Sequence, residues 1–174
     1  EQKEKYIGIA LDKSERLETL INELFEITRY HTNTVQVKKL PVDLYALLSQ
    51  VIDDFYPALS EKGNTTQISM QDGLTVTGDP EKLARVFNNL LRNAASYCYP
   101  NTEIDIIAIK KGNHAVVIFK NHGPTIPADQ LSTIFDKFSR LDEARTSDTG
   151  GAGLGLSIAK EIVNLHGGEI TAQS

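Results

Sequence analysis

The sequence lacks several features that define whole classes of protein. Its single cysteine, Cys98, cannot form an internal disulfide bond, so we expect a reducing environment. It has no apolar run of about 18 residues, the length that a membrane-spanning helix needs. With 18 basic and 23 acidic residues its net charge is −5, which argues against the basic surface of a nucleic-acid-binding protein. Any bound phosphate must therefore be neutralised by local cations and backbone amides.

The sequence also lacks a signal peptide and an initiating methionine, since its first residue is Glu1. We interpret the chain as a piece of a longer protein. Its 174 residues, 40% of them apolar and 24% charged, are typical of a globular protein with one well-filled core and a smaller appendage.

Residues 1–32 have apolar side chains three or four positions apart, which predicts one long amphipathic helix. Such a helix is not stable alone in water and needs partners. Either an ordinary core helix or a helix of a dimerising bundle would explain the pattern. The pattern breaks near residues 31–34, so we predict two domains, residues 1–33 and residues 34–174.

The second domain mixes helices and strands without the regular alternation of a doubly wound sheet. The predicted strands are 35–40, 67–70, 74–77, a hairpin of 103–109 with 115–119, and a strand from Glu169 that the end of the chain cuts short. The predicted helices run from Asp43 to about 59, from Pro80 to before Pro100 and over 154–166, with a short apolar helix inside 121–153. We therefore predict an α+β fold, a two-layer sandwich with a mainly antiparallel sheet, preceded by a long helix.

Two asparagines of the predicted helix after Pro80 lie one turn apart. Asn89 and Asn93 therefore present their amides on the same face. Two neutral amide oxygens at this spacing suit a Mg²⁺ ion that keeps water and phosphate ligands. Solvated or capping asparagines would give the same pattern.

Two glycine-containing stretches follow. In the first, Gly123 would let a flat base approach the backbone beside Asn121, whose amide can read a base edge. The second, residues 148–156, opens a helix, where free amides and the helix dipole favour phosphate. It is neither a dinucleotide-binding fingerprint nor a P-loop, because the third glycine and the Gly-Lys-Ser/Thr sequence are missing.

A short segment between these stretches combines phenylalanines with cations. Phe135 and Phe138 would anchor a short helix, while Lys137, Arg140 and Arg145 would point toward anions. Taken singly, these residues also fit an amphipathic helix with surface cations.

In this order the four segments resemble the nucleotide site of the histidine-kinase/gyrase/heat-shock ATPase superfamily, over nearly the whole chain. The paired asparagines are typical of histidine kinases, since gyrase-like and chaperone relatives carry a glutamate at the position of Asn89. The first helix resembles the second helix of the kinase dimerisation hairpin. Segments such as 26–30 and 140–145 look like the VanS sensors of vancomycin resistance, which phosphorylate a response regulator called VanR.

The resemblance implies a Bergerat-type fold that binds ATP with Mg²⁺ and donates the γ-phosphate to a histidine on a helix absent from this chain. It places Asn89 and Asn93 at the metal and the phosphates. The other implied ATP-binding residues are Tyr97, Asn121, Gly123, Lys137, Arg140, Arg145, Gly151, Gly153, Leu154 and Gly155. It further implies a homodimer through the dimerisation helices, a VanR-like response regulator as partner, and a cytoplasmic position in a membrane-anchored sensor.

The sequence departs from the family pattern at the residues expected to bind the adenine base. Asn121 stands where family members usually have an aspartate that accepts a bond from the adenine amino group. Replacing a charge-assisted bond by a neutral one costs about 1–2 kcal/mol, roughly five- to thirtyfold in affinity. Thr125 replaces a common glycine and Ser96 a common basic residue. We therefore expect weak ATP binding, which a submicromolar Kd for Mg-ATP would contradict.

The phosphoacceptor motif is missing as well. None of the four histidines, His31, His114, His122 and His166, lies in the family's His-Asp/Glu motif. We therefore expect no autophosphorylation of this chain alone, and label from γ-labelled ATP on the chain would contradict this. Two alternatives stay open: an anti-sigma-type serine kinase with the same nucleotide fold, and a docking module with a vestigial site.

Overall fold

The structure is a computed structural model, and it describes residues 2–31, 36–139 and 153–174. The chain divides into two units, Glu1–Gln36 and Val37–Ser174. Among the described residues, no helix combines the length and the apolar character that a lipid bilayer would require of it.

The described residues of the first unit form the helix α1 (Gln2–His31), as their periodicity predicted. Many of its apolar side chains are 45% to 66% exposed in this chain. These are Tyr6, Ile7, Ile9, Leu11, Leu17, Ile21, Leu24 and Phe25. Amphipathic helices are stabilised mainly by packing of the apolar face. The helix α1 therefore has apolar surface available for a partner.

The second unit has an α+β fold, which confirms the predicted class. Its elements in chain order are β1 (Leu40–Asp43), α2 (Leu44–Ser60), β2 (Thr65–Met70), β3 (Thr75–Gly78), α3 (Pro80–Tyr97), β4 (Glu103–Lys111), β5 (His114–Lys120) and α4 (Gly155–Leu165). Strands β1 and β3 pair antiparallel, while a second sheet has the order β2-β4-β5. In that sheet β2 and β4 are parallel and β4 and β5 are antiparallel.

Local sequence signals set the helix and turn positions. Asp43 caps α2 by accepting from the backbone N–H groups of Tyr45 and Ala46, and Asp79 caps α3 by accepting from Lys82 N. Proline at the first position of α3 has the φ angle that a helix start needs. The β4–β5 hairpin turns at Gly112, whose φ is +62°.

The core lies between the three-stranded sheet and a layer of helices. Alternate residues of β4, namely Ile104, Ile106 and Ala108, are fully buried on one face of the sheet. Leu91 of α3 and Ile158 of α4 are fully buried as well. Each large apolar side chain buried in this way contributes roughly 1.5–3 kcal/mol. The residues between them on β4 are more exposed, so the sheet and the helices form two layers.

The first predicted strand of this unit is wrong. Of the predicted residues 35–40, residue 35 lies outside the described residues, and 36–39 have no regular structure. The strand is β1 instead, because pairing with β3 places Val42 opposite Val76 and buries Val42. Pro41 fits there since β1 has a partner on one side only among the described strands.

Two further predicted elements are also wrong. Residues 128–138 form successive turns rather than a short helix, with bonds such as Thr133 N to Gln130 O and Asp136 N to Thr133 O. Residues 169–174 form no strand. A strand exists only where its backbone pairs with a sheet edge, and alternation in the sequence cannot establish that pairing.

Candidate functional site

One face of α3 carries a polar stripe. Asn89, Asn93 and Tyr97 follow each other at intervals of four residues and so lie on the same side of the helix. Asn89 is 4% exposed and Tyr97 is 43% exposed, so the stripe runs from the interior to the surface. Phe87 and Leu91, on the other side of α3, are buried in the core.

The innermost residue of this stripe has an unused hydrogen-bond donor. The Nδ2 atom of Asn89 is buried and has no hydrogen-bond partner among the described residues. Leaving such a group unsatisfied costs roughly 1–3 kcal/mol, so a ligand atom or water is expected beside it. Since Nδ2 donates, the missing partner must be an acceptor, such as a phosphate oxygen.

The start of α4 lies against the same residue. A Cβ atom added to Gly155 would lie 3.6 Å from both Cγ and Oδ1 of Asn89. Leu154 precedes the helix and is buried, and no side chain caps the helix start among the described residues. The hydroxyl of Ser157 donates back to Leu154 O at 2.8 Å. The first amides of α4 thus lie beside Asn89 without a side-chain cap from the described residues, and the helix dipole favours an anion there.

A backbone hydrogen bond connects the residues before α4 to the phenylalanine segment. The N–H of Phe138 donates to Gly153 O at 3.1 Å. Gly153 has a φ of +74°, and a Cβ atom there would come within 2.8 Å of Ser139 O. Glycine is therefore required at this position, both for its backbone conformation and for space.

The first glycine-containing stretch lies against the C-terminal end of α3. A Cβ atom on Gly123 would overlap the carbonyl oxygen of Tyr97 and lie 3.2 Å from Asn121 Nδ2. The N–H of Tyr99 also donates to His122 O, at 2.8 Å. Residues 121–123 are thus fixed beside the exposed end of the polar stripe.

The segment that combines phenylalanines with cations is described only up to residue 139. Lys137 lines a cleft of about 290 Å³ whose other described lining residues are Phe135, Asp136, Ser157, Lys160 and Glu161. Phe135 is 8% exposed and does anchor the segment, whereas Phe138 is 62% exposed and does not. The predicted ATP-binding residues Arg140, Arg145 and Gly151 lie outside the described residues.

The N-terminal end of α3 carries a buried charge. Asp79 is 1% exposed, and its carboxylate accepts from Lys38 N at 3.2 Å and Lys82 N at 3.3 Å. Burial acts to raise the pKa of Asp79, but these two bonds and the charges of Lys82 and Lys38 outweigh it and lower the pKa. The Nε2 atom of His166 accepts from Asp79 N at 3.0 Å, and its Nδ1 atom lies 2.8 Å from Ile162 O. The ring thus ties the end of α4 to the start of α3.

Some contacts that shape this region carried no signal in the sequence. The bonds from Tyr99 to His122 and from Asp79 to His166 join residues 23 and 87 positions apart. No periodicity or turn signal connects such distant residues. By contrast, the Gly155 contact with Asn89 joins two segments that the sequence had singled out.

Comparison with known proteins places this geometry in a family. Residues 78–174 match the family model described as histidine kinase-, DNA gyrase B-, and HSP90-like ATPase. Sensor protein VanS of Enterococcus faecium is 56% identical over 174 residues, which are 100% of this chain and 45% of that protein. Sensor protein VanSC of Enterococcus gallinarum is 41% identical over 170 residues, 98% of this chain and 47% of that protein. The chain therefore spans less than half the length of these two relatives.

A solved structure supports the same fold. The crystal structure of full-length ShkA in complex with AMPPNP aligns with this chain with a TM-score of 0.81 at 23% sequence identity. The alignment covers 99% of this chain and 37% of that one. The family model alone covers more than half of the chain. This chain therefore belongs to the histidine kinase-, DNA gyrase B-, and HSP90-like ATPase family.

Proposed function

We propose that this chain is the catalytic part of a two-component sensor histidine kinase. It binds Mg-ATP and donates the γ-phosphate to a histidine on a helix outside this sequence. The observation that carries the proposal is the buried Nδ2 atom of Asn89 beside Gly155 at the start of α4. Within the part of the chain that the structure describes, this atom has no hydrogen-bond partner and the helix start has no side-chain cap. An unpaired donor and free helix amides at one place suit the phosphates of a nucleotide.

The donor set also fits a magnesium ion. Each asparagine side chain offers an acceptor oxygen and two N–H donors, so Asn89 and Asn93 can serve both the ion and a phosphate oxygen. Among the described residues, no group of three or more His, Cys, Asp or Glu side chains could hold a metal ion. Neutral amides suit Mg²⁺, which keeps its waters and takes ligands from substrate phosphates. The bound ion would supply charge neutralisation at the phosphates.

The protein's own contribution to this reaction is mainly positioning. Phosphoryl transfer depends on aligning the groups and stabilising charge. Asn89, Asn93, Gly153, Leu154 and Gly155 would bind the metal-bound phosphates. Tyr97, Asn121 and Gly123 would bind the adenine at the other end of the stripe. Lys137, Arg140, Arg145 and Gly151 complete the proposed ATP site on the strength of the sequence alone.

The remaining parts of the proposal concern the whole protein. We assign residues 1–33 to the second helix of a dimerisation hairpin and residues 34–174 to the catalytic domain. The exposed apolar side chains of α1 support a homodimer through these helices. Similarity to VanS along the whole chain supports a VanR-like response regulator, a role in vancomycin resistance and a membrane anchor elsewhere in the protein.

A second function, a docking module with a weak or vestigial nucleotide site, is favoured by Asn121. Its neutral amide stands where the family usually has a carboxylate. Measurable nucleotide binding that depends on the stripe would exclude a vestigial site.

Calorimetric titration of the chain with Mg-AMPPNP tests the proposed function. We expect saturable binding that weakens roughly ten- to hundredfold in Asn93→Ala, because a bond to a charged ligand contributes about 1.5–3 kcal/mol. Asn88→Ala is the matched control, since it makes the same change on α3 one position off the stripe. Absence of binding, or equal weakening in both variants, would refute the proposed ATP site.

A further inference from the structure

A buried asparagine outside the proposed site contacts the loop behind it. Asn64 lies just before β2 and is 5% exposed. Its Nδ2 atom donates to two backbone carbonyl oxygens, Tyr99 O at 2.7 Å and Thr102 O at 3.0 Å. Both N–H donors of the amide are thus used within one loop.

This loop, residues 98–102, connects α3 to β4 and is joined to the segment around Asn64 at several points. Asn101 N donates to Lys62 O at 3.1 Å, and Thr65 N donates to Thr102 O at 3.3 Å. Within the loop, Cys98 Sγ and Thr102 Oγ1 lie 2.9 Å apart. The backbone bonds hold the C-terminal end of the loop. The carbonyl of Tyr99 accepts from the Thr102 hydroxyl at 2.7 Å within the loop, and the Asn64 side chain is its contact from outside the loop.

Tyr99 connects Asn64 to the base end of the proposed nucleotide site. Its carbonyl accepts from Asn64, and its N–H donates to His122 O at 2.8 Å. His122 stands between Asn121 and Gly123, and Gly123 lies directly against the carbonyl of Tyr97. A shift of the Tyr99 peptide would therefore move Asn121 relative to the end of α3.

We propose that Asn64 is a positioning residue for nucleotide recognition, which sets through Tyr99 and His122 the place where Asn121 meets the base. The inference rests on the proposed function. The phosphate end depends on a different set of contacts, between Asn89 and the start of α4. Loss of the Asn64 bonds therefore weakens recognition of the base and leaves the phosphate end intact.

The variant Asn64→Asp isolates these bonds. Aspartate has nearly the same shape but offers at most one donor, and none when ionised, to the two carbonyls of Tyr99 and Thr102. Lys62→Met is the matched control on the same turn, because it removes the 2.8 Å bond from Lys62 Nζ to Ala95 O without touching Tyr99.

Affinities for Mg-ATP and Mg-GTP are compared in the unaltered chain and in both variants. We expect the unaltered chain to prefer ATP, and Asn64→Asp to bind ATP roughly tenfold more weakly. We expect its GTP affinity to change by less than about twofold, since only the base contact is affected. Lys62→Met should keep the preference of the unaltered chain. A merely structural role for Asn64 would lower the unfolding free energy and leave the ATP-to-GTP ratio unchanged.

The outcomes separate the two proposals. If the unaltered chain binds neither nucleotide, the proposed function fails and this inference fails with it. If it binds both without preference, or if Asn64→Asp keeps the preference, the inference alone is overturned. If Asn64→Asp does not fold, hydrogen exchange in the unaltered chain tests the positioning role of Asn64 instead. ATP must then slow exchange of the Asn64 side-chain amide and the Tyr99 N–H more than GTP does, and equal protection would overturn the inference.

Discussion

The two ends of α3 are held in place by different chemistry. At the N-terminal end, the buried carboxylate of Asp79 accepts from Lys38 and Lys82, and His166 accepts from the Asp79 N–H. At the C-terminal end, neutral amide groups dominate, with bonds from Asn64 to Tyr99 and from Tyr99 to His122. The bonds of the first end join structural segments, whereas those of the second reach residues 121–123 of the proposed site. We therefore expect changes at the first end to alter stability and changes at the second to alter nucleotide binding.

The largest effect is expected at the C-terminal end, in Gly123→Ala. The added Cβ atom would overlap the Tyr97 carbonyl, which is backbone and cannot move aside cheaply. Such overpacking costs about 2–3 kcal/mol, so we expect ATP affinity to fall roughly thirty- to 150-fold in calorimetric titration. Gly8→Ala in α1 is the control, because a Cβ atom there meets nothing within 4 Å. Unchanged affinity in Gly123→Ala would remove this end of α3 from the site.

A smaller effect, on stability, is expected at the N-terminal end in Asp79→Ala. The change leaves the N–H groups of Lys38 and Lys82 without their acceptor in a buried place. We expect the unfolding free energy to fall by about 2–3 kcal/mol in urea denaturation. In folded protein, ATP affinity should change by less than about threefold, or roughly 0.7 kcal/mol.

The matched control for this variant is Asp43→Ala, which removes the cap of α2. That carboxylate accepts from Tyr45 N and Ala46 N at an exposed position. Water can replace its bonds, so we expect a loss of only about 1 kcal/mol. Equal losses in the two variants would mean that burial of Asp79 adds nothing, and the contrast between the ends of α3 would disappear.

The two ends also differ in how much of them the sequence could predict. Asp79 followed by Pro80 is a local helix-start signal, and the Asn89–Asn93 spacing follows from helical geometry, so both were predictable. The long first helix, the β4–β5 hairpin and the α+β class follow from periodicity in the same way. Asn64 carries no such signal, because its partners lie 35 and 38 positions away and are backbone atoms that every residue possesses.

The wrong predictions, like the missed role of Asn64, arise from contacts between distant parts of the chain. The strands expected at 35–40 and from Glu169 depend on which sheet edge is free, and the helix expected near Phe135 depends on whether successive turns continue. Such choices are made by tertiary pairing rather than by local propensity. The roles of Asn89, Asn93, Tyr97 and Asn121 in binding ATP stay predictions, since they depend on a ligand rather than on the fold.

The smallest effect is expected in the pH dependence of stability. The pKa of Asp79 is lowered in the folded chain, because bonds and charges from Lys38 and Lys82 outweigh the effect of burial. Its contribution is therefore fully present above the ordinary aspartate pKa, and it is lost as the pH falls from there through the lowered value. The unfolding free energy, measured by urea denaturation between pH 7 and about pH 3, should decline less steeply for Asp79→Asn than for the unaltered chain. Lys62→Met, which removes a bond to Ala95 O near the other end of α3, should shift the curve by a constant amount. Parallel curves for Asp79→Asn and the unaltered chain would show that the charge of Asp79 does not distinguish the two ends.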